Sequence, residues 1–226
     1  MKRPIATRIG TNDLDIYNEV VTQDCYGLKS ISTKFTEKRI KVVDIGAHIG
    51  CFAYAITEHL RNVKEITYIG YEPYVPNYRL LCTNTGFISE HSPYTEDIFL
   101  YEVNAAVTGA KQDVRLESVD GFNTGMVVYK QCYRDETTVK SVDIVKALSF
   151  TKDHQVDLLK LDCEGAEELF FEEIPIERVR NMVGEYHSNG FMQRLVEVFG
   201  DSKEYNLKIM PSPTNIHQGI FKLFSI

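Results

Sequence analysis

The pattern of apolar and polar positions divides the chain into short strands separated by helix-compatible segments. Five runs rich in β-branched or aromatic residues are predicted to be strands: residues 40–45, 65–73, 98–107, 156–161 and 179–186. Continuous apolar runs of this length are typical of strands that a parallel sheet buries on both faces. Two later strands, residues 205–210 and 219–224, are joined by a Pro-rich turn too short for a crossover helix, so they should pair antiparallel. The pattern therefore predicts an α/β fold with a mostly parallel sheet.

Weaker patterns fill the intervals between these strands. Residues 1–15 are polar and poorly patterned, which indicates a surface arm or a loose lead-in, and residues 16–21 could form a short strand. Residues 113–118 alternate in polarity and are predicted to return as an antiparallel or edge ribbon. Residues 120–135 begin with a Gly-rich half and are predicted to form a mobile loop or a hairpin.

Two glycines four residues apart follow the first predicted strand. Residues 44–50 read DIGAHIG, a D-x-G-x-x-x-G pattern, and a helix is expected from there to about residue 60. A strand, a glycine turn and a helix form a nucleotide site, because glycine lets backbone approach the ligand and the helix N-terminus offers free N–H groups. The acid before the first glycine suits an ammonium or sulfonium group better than the pyrophosphate of G-x-G-x-x-G enzymes. An ordinary strand-to-helix turn is the alternative.

An acidic residue, Glu72, ends the second predicted strand 22 residues beyond Gly50. An acid at this place accepts the ribose hydroxyls in nucleotide-binding folds, and Pro73 then turns the chain. A plain turn is the alternative, and the spacing from Gly50 favours the ribose role.

Small residues near the end of the third predicted strand leave space for a flat ring. Ala105 and Ala106 could border an adenine whose edge is hydrogen-bonded by Asn104 or by backbone groups, although small residues also occur for packing alone. Tyr26 stands beside a glycine just upstream of the glycine turn, where it could line the same pocket or simply pack in a turn.

A second acidic motif follows the fourth predicted strand, where the chain reads DCEGAE. Asp162 should stand at the strand tip beside the glycine turn, whereas Glu164 and Glu167 could merely complement the dipole of the next helix. The next strand closes with Glu185 and His187, which lie two residues apart and therefore point to the same face.

Composition narrows the class of protein. The 226 residues suit one α/β domain spanning residues 1–226, and 43% of them are hydrophobic. No apolar run approaches the ~18–20 residues of a membrane span, and the basic start lacks the apolar core of a signal peptide. A net charge of −7 without a basic block argues against nucleic acid as a partner. Five widely spaced cysteines without a C-x-x-C pair indicate reduced thiols in a cytoplasmic protein.

Taken together, these motifs resemble the FkbM family of class I S-adenosylmethionine-dependent methyltransferases. The resemblance covers about residues 17–190, and its specific part is the L-K-x-D-x-E-G-A-E run at residues 159–167. The family usually has Asn where this chain has His48, a substitution that keeps a polar side chain. The resemblance implies a Rossmann-like fold of seven strands with an antiparallel last strand. It also implies methyl transfer from S-adenosylmethionine, usually to a hydroxyl oxygen, often on sugars or natural products.

The resemblance and the spacing together predict the cofactor site. The acid and glycines of the first turn should hold the amino-acid end of S-adenosylmethionine, and Glu72 the ribose. The predicted cofactor-binding residues are Tyr26, Asp44, Gly46, Ala47, His48, Gly50, Glu72, Pro73, Asn104, Ala105 and Asp162. Residues 120–135 are predicted to form part of the acceptor pocket, because loops at the carboxyl ends of strands carry specificity.

Catalysis on an alcohol needs help, because an alcohol is a poor nucleophile that benefits from a base or a metal. His187 is the candidate base near neutral pH, with Asp162 and Glu185 as its catalytic neighbours. A divalent metal held by Asp162, Glu164, Glu185 and His187 is the alternative. Proton abstraction without an obligatory metal is favoured.

Two other functions compete with a small-molecule O-methyltransferase. A non-catalytic cofactor-binding or interaction protein could retain the fold, but the intact acids Asp44, Glu72 and Asp162 argue against a decayed site. An NAD(P)-linked enzyme is disfavoured by the missing G-x-G-x-x-G. The sequence identifies neither the small-molecule acceptor nor the oligomeric state.

Overall fold

A mixed sheet of seven strands organises the computed structural model, which describes residues 5–35, 39–91, 97–109, 114–118, 125–128, 137–150, 155–215 and 217–226. In chain order the elements are α1 (Asp13–Tyr17), α2 (Leu28–Ile31), β1 (Arg39–Ile45), α3 (Cys51–His59), β2 (Glu65–Tyr71), α4 (Val75–His91), β3 (Asp97–Val103), β4 (Ala106–Thr108), β5 (Val114–Ser118), β6 (Gly125–Val128), β7 (Thr137–Val139), β8 (Ser141–Asp143), α5 (Ile144–Ala147), β9 (Leu158–Leu161), α6 (Glu167–Phe170), β10 (Asn181–Tyr186), α7 (Asn189–Phe199), β11 (Tyr205–Pro211) and β12 (Gly219–Ser225). Short π or 3₁₀ turns occupy Asn18–Thr22, Ser32–Lys34, Phe171–Glu173 and Ile176–Arg178.

The strand order of the main sheet is β11-β12-β10-β9-β1-β2-β3. The strands from β10 to β3 in this order pair in parallel, and β12 and β11 are antiparallel to their neighbours. The predicted α/β fold, a seven-stranded and mostly parallel sheet with antiparallel last strands, is confirmed. Among the described helices, none combines the length and apolar character needed to cross a membrane.

The central strands are buried on both faces, as their continuous apolar sequences predict. In β1, Val43 and Ile45 face one hydrophobic core, which α5, α6 and α7 cover, while Ile40 and Val42 face a second core that contains α3. The register places Asp44 of β1 opposite Lys160 of β9. The carboxyl ends of the two strands are therefore level, and the loops that follow them meet.

The amino-terminal segment differs from its prediction. Residues 16–21 are not a strand, because the chain there passes from α1 into the π turn Asn18–Thr22. In this helical form both Val20 and Val21 are buried in the core that contains α3, whereas adjacent side chains of a strand would point to opposite faces. The expected loose lead-in packs against the protein at residues 5 and 6, where Ile5 is buried and the N–H of Ala6 donates to Oδ1 of Asn84 at 2.7 Å, whereas Ile9 is fully exposed.

The predicted third strand, residues 98–107, is broken in two. β3 ends at Val103, and β4 begins at Ala106 in a separate two-stranded sheet with β8. The side-chain amide of Asn104 donates to the backbone oxygens of Glu72 at 2.9 Å and Pro73 at 3.1 Å. These hydrogen bonds connect the break between β3 and β4 to the loop after β2.

A third, three-stranded sheet contains the predicted ribbon. β5 pairs antiparallel with β6 and β7. β6 falls within the predicted loop at residues 120–135, and its pairing matches the hairpin alternative. Residues 120–124 and 129–135 lie outside the described residues, so the mobility of the loop and its part in an acceptor pocket stay predictions.

Candidate active site

A cavity opens at the carboxyl ends of β1, β2 and β9, where the strand order reverses between β1 and β9. Ligands of open α/β sheets bind at such a reversal. Most of the predicted cofactor residues line it: Tyr26, Gly46, Ala47, His48, Glu72, Pro73, Ala105 and Asp162. Three predicted residues, Asp44, Gly50 and Asn104, are not part of the described cavity wall.

The two glycines shape the turn after β1. Gly46 has a φ of +80°, and a Cβ atom there would lie 1.8 Å from the backbone oxygen of Asp162. Gly50 has a φ of +91° and precedes the first turn of α3. Both positions need glycine, because other residues rarely adopt this conformation. Gly50 thus contributes through the backbone of the turn.

His48 offers polar atoms that the protein itself leaves unbonded. Its φ is +51°, in the left-handed region where Asn, Asp and His are enriched. His48 lines the cavity, and neither ring nitrogen has a hydrogen-bond partner among the described residues, while Nε2 lies 3.8 Å from Oδ1 of Asp13. Burial lowers the pKa of His48 to about 4, so the imidazole is neutral near pH 7. Unbonded buried nitrogens on a cavity wall fit a polar ligand such as the predicted cofactor.

The Glu72 carboxylate is held in place by two backbone N–H groups. The side chain lines the cavity although the residue is only 5% exposed. Oε2 accepts the N–H of His48 and Oε1 accepts the N–H of Tyr74, each at 2.8 Å. Each carboxylate oxygen keeps a second lone pair that can accept a hydroxyl proton. Burial raises the pKa of Glu72 to about 7, although the two backbone N–H groups oppose this shift.

The Asp44 carboxylate is bound within the protein. It is fully buried, with Oδ1 3.2 Å from Nζ of Lys160 and Oδ2 accepting the hydroxyl of Tyr68 at 2.7 Å. Burial raises the pKa of Asp44, and the Lys160 ammonium opposes the shift. The carboxylate is therefore committed to internal partners and holds Lys160, rather than facing the amino group of a ligand.

Lys160 is the functional residue that sequence reasoning missed. Its ammonium donates to the backbone oxygen of Gly46 at 2.5 Å and also lies 3.4 Å from Oδ2 of Asp162. Burial lowers its pKa, but Asp44 and Asp162 outweigh that effect, so the pKa is raised above the usual lysine value. The signal was present, because Asp162 directly follows β9 and lies two residues beyond Lys160, which puts the two side chains on one face.

The rest of the wall combines predicted and unpredicted side chains. Tyr26 is buried and donates its hydroxyl to Oδ2 of Asp162 at 3.1 Å. Ala105 lines the cavity as predicted, whereas Asn104 supports the loop after β2 from behind. The segment from α1 onward also contributes to the wall through Asn12, Ile16, Glu19 and Val20. The expectations of a surface arm and a short strand for this segment did not include this role.

Acidic residues dominate the end of the cavity formed by β9 and β10. Glu164 and Glu185 line it with Asp162. The pKa of Glu185 is raised to about 8, first by the negative charge of Asp162 and then by burial. Burial, followed by Asp162, raises the pKa of Glu164 to about 7. Burial would raise the pKa of Asp162 as well, but Lys160 and His187 lower it below its usual value.

His187 lies behind this end of the cavity, among carboxylates. Nε2 is 3.6 Å from Oε2 of both Glu164 and Glu185, and Nδ1 is 3.5 Å from Oε1 of Glu167. Burial alone would lower the pKa of His187, but Glu167 and the other acids raise it to about 9. The imidazole is thus a cation near pH 7, which differs from the prediction of a free base. Glu185, also predicted to be catalytic, reaches the cavity.

The strand order and the position of this cavity match the fold class predicted from the sequence, that of class I methyltransferases. The model of the methyltransferase FkbM domain matches residues 44–216. The chain belongs to this family, which confirms the predicted resemblance. No curated protein sequence matches the chain significantly.

Solved structures with the same fold are distant in sequence. A methyltransferase FkbM from Methylobacillus flagellatus is 13% identical with a TM-score of 0.50, and the match covers 83% of this chain and 44% of that one. The METTL16 methyltransferase domain in its delta-N form is 8% identical with a TM-score of 0.50, covering 98% of this chain and 88% of that one. These likenesses concern the fold alone. The present chain spans less than half of the Methylobacillus protein.

Proposed function

We propose that this methyltransferase transfers the methyl group of S-adenosylmethionine to a hydroxyl oxygen of a small molecule, such as a sugar or a natural product. The observation that carries the proposal is that one cavity has both Glu72 and Glu185 on its wall. Glu72 is prepared to accept a pair of hydroxyls, and Glu185 is a carboxylate placed to accept a proton. A ribose and an acceptor hydroxyl can therefore be held in the same site.

The cofactor end of the proposed site depends on fixed groups. Glu72 is oriented by two backbone N–H donors before any ligand binds. Ala105 leaves space for a flat base, and His48 lies on the same wall with two ring nitrogens that make no hydrogen bond among the described residues. Preorganisation of this kind aligns the methyl donor, and bound S-adenosylmethionine supplies an already activated sulfonium methyl group.

The acceptor end depends on Glu185. The acceptor oxygen must lose its proton as it bonds to the methyl carbon, and a carboxylate within hydrogen-bond reach can take that proton. Nε2 of His187 lies 3.6 Å from Oε2 of Glu185 and positions it. Asp162 is held by Tyr26 and Lys160, so it faces the reacting groups as a fixed negative charge. We assign Glu185 as the base, with His187 as a positioning residue.

A panel of hydroxylated small molecules tests the proposal. Turnover should appear as S-adenosylhomocysteine, and mass spectrometry should find the new methyl group on oxygen. Glu185→Gln should lower kcat by roughly 10²–10⁴ because the base is lost, while calorimetry finds unchanged affinity for S-adenosylhomocysteine. Glu204→Gln, an exposed acid distant in sequence, is the matched control. Methylation of nitrogen or carbon, or full activity in Glu185→Gln, would refute this assignment.

A further inference from the structure

We propose that Asp162, Glu167 and His187 bind one divalent cation of the Mn²⁺ or Zn²⁺ kind beside the cavity. The three residues follow β9, begin α6 and follow β10, and one ligand atom from each lies within 4.8 Å of the others. Donors on a common ion, with bonds of about 2.1 Å, lie about 3–4 Å apart. Small side-chain rotations would therefore complete the site.

Two buried atoms in this group lack partners, which an acidic cluster alone would not explain. The Glu167 side chain is 1% exposed, and its Oε1 accepts the N–H of Cys163 at 2.6 Å. Its Oε2 and Nδ1 of His187 have no hydrogen-bond partner among the described residues. A buried carboxylate oxygen without a partner is costly, and a cation is the ligand that both atoms accept.

The surroundings of His187 also fit an ion on Nδ1. Nε2 faces Oε2 of Glu164 and Oε2 of Glu185, each at 3.6 Å. Carboxylates at Nε2 keep the proton on that nitrogen, and a cation bound at Nδ1 would displace the second proton that the ring carries near pH 7. The geometry thus alters the ligand set predicted from sequence, because Glu167 takes an inner position while Glu164 and Glu185 become outer partners.

The ligand types point to the kind of ion and its use. Two carboxylates and one imidazole suit Mn²⁺ or Zn²⁺ better than Ca²⁺, which prefers oxygen ligands alone. Three protein ligands leave positions open for water or a substrate oxygen. Asp162 also lines the cavity, so the ion could polarise an acceptor hydroxyl and ease its deprotonation. This catalytic use rests on the proposed function, whereas the binding of the ion does not.

Titration of the chelator-treated full chain with Mn²⁺, followed by the electron paramagnetic resonance of the free ion, tests the site. We expect one tightly bound ion per chain and a nitrogen hyperfine coupling from His187. Glu167→Gln should weaken binding by roughly 10–100-fold or more, and His187→Gln should remove the nitrogen coupling. Glu172→Gln changes an exposed acid five residues from Glu167 and should leave both signals unchanged.

The wild-type spectrum decides the matter even if a variant fails to fold. The metal site would be overturned if millimolar Mn²⁺ or Zn²⁺ does not bind stoichiometrically, or if Mn²⁺ binds without nitrogen coupling. A proton or a water molecule would then be the partner of the buried Glu167 oxygen. The affinity for S-adenosylhomocysteine, measured by calorimetry, and the turnover of the acceptor panel are measured independently of Mn²⁺ binding. Bound Mn²⁺ without turnover on any hydroxyl would contradict the proposed function and not the site. Turnover unaffected by chelator would overturn only the catalytic use of the ion.

Discussion

Glu72 shows how the environment of a single residue sets its binding behaviour. Its carboxylate is buried on the cavity wall and bound by the backbone N–H groups of His48 and Tyr74. Only the ionised form can accept both N–H groups and two further hydroxyls, because a protonated oxygen becomes a donor. Because its pKa is raised to about 7, Glu72 passes from the protonated to the ionised form within the pH range of ordinary assays.

The affinity for S-adenosylhomocysteine should therefore depend on pH through Glu72. Below about pH 7 the carboxyl is protonated and accepts hydroxyls poorly, so affinity should rise from pH 6 to pH 8 and then level off. Glu72→Gln should bind about 1.5–3 kcal/mol more weakly at pH 8, the usual contribution of a hydrogen bond to a charged group. It should also lose the part of the pH dependence that Glu72 causes. Calorimetry at pH 6, 7 and 8 measures both effects, and equal affinity of the two proteins would exclude the ribose role.

At the scale of elements, Lys160 links β1 to β9 at the edge of the cavity. Its ammonium lies 3.2 Å from Asp44 and 3.4 Å from Asp162, and it also binds the backbone oxygen of Gly46. The parallel register that sets Asp44 opposite Lys160 makes this contact possible. A single buried cation therefore fixes both strand ends and the glycine turn.

Lys160→Met should lower the free energy of unfolding by about 3–5 kcal/mol at pH 8, because it leaves buried carboxylates without a cation. The variant raises the native pKa of both acids, which for Asp44 is already above the unfolded value and for Asp162 starts below it. Its deficit should therefore shrink at pH 5.5, where they can bind protons. Urea denaturation at the two pH values measures the free energy of unfolding of the wild type and the variant. Lys208→Met, on an exposed position of β11, is the control, and adding Asp44→Asn should recover part of the loss. A deficit independent of pH would contradict this account.

At the scale of the whole molecule, the sheet topology places the site. The reversal of strand order between β1 and β9 opens a crevice where the loops after three strands meet. The amino-terminal segment closes one side of this crevice, with Asn12 and Glu19 on the wall. A ligand in the crevice would therefore contact segments from across the chain and stabilise them together.

Saturation with S-adenosylhomocysteine should stabilise the whole fold. At a concentration 100 times Kd, binding adds about 2.7 kcal/mol, which for a protein of this size corresponds to a rise in Tm of about 5–10 °C. NAD at the same concentration should give no shift, since the turn lacks the G-x-G-x-x-G pattern. Differential scanning fluorimetry distinguishes the two ligands. Stabilisation by NAD alone would contradict the cofactor assignment.

Much of the fold and part of the site could be predicted from the sequence. The cavity positions of Glu72, Asp162 and Glu185 follow from acids placed at the ends of predicted strands, since such ends share one edge of a parallel sheet. The amino-terminal wall was not predicted, because Asn12 lies in a polar stretch and the apolar residues at 16–21 indicated a strand, not the helical turn that carries Glu19. A cytoplasmic location and a single domain over residues 1–226 stay predictions.

The sequence by itself determined the features that depend on local pattern: buried strands, the glycine turn at Gly46 and Gly50, and acids at strand ends. These follow from side-chain periodicity and from the backbone freedom of glycine. Only the tertiary structure decided which acids face the cavity. Asp44 is bound by a lysine 116 residues away along the chain, and His187 is a cation because acids from other elements surround it. Burial and charge state are set by contacts between distant segments, which a linear pattern does not contain.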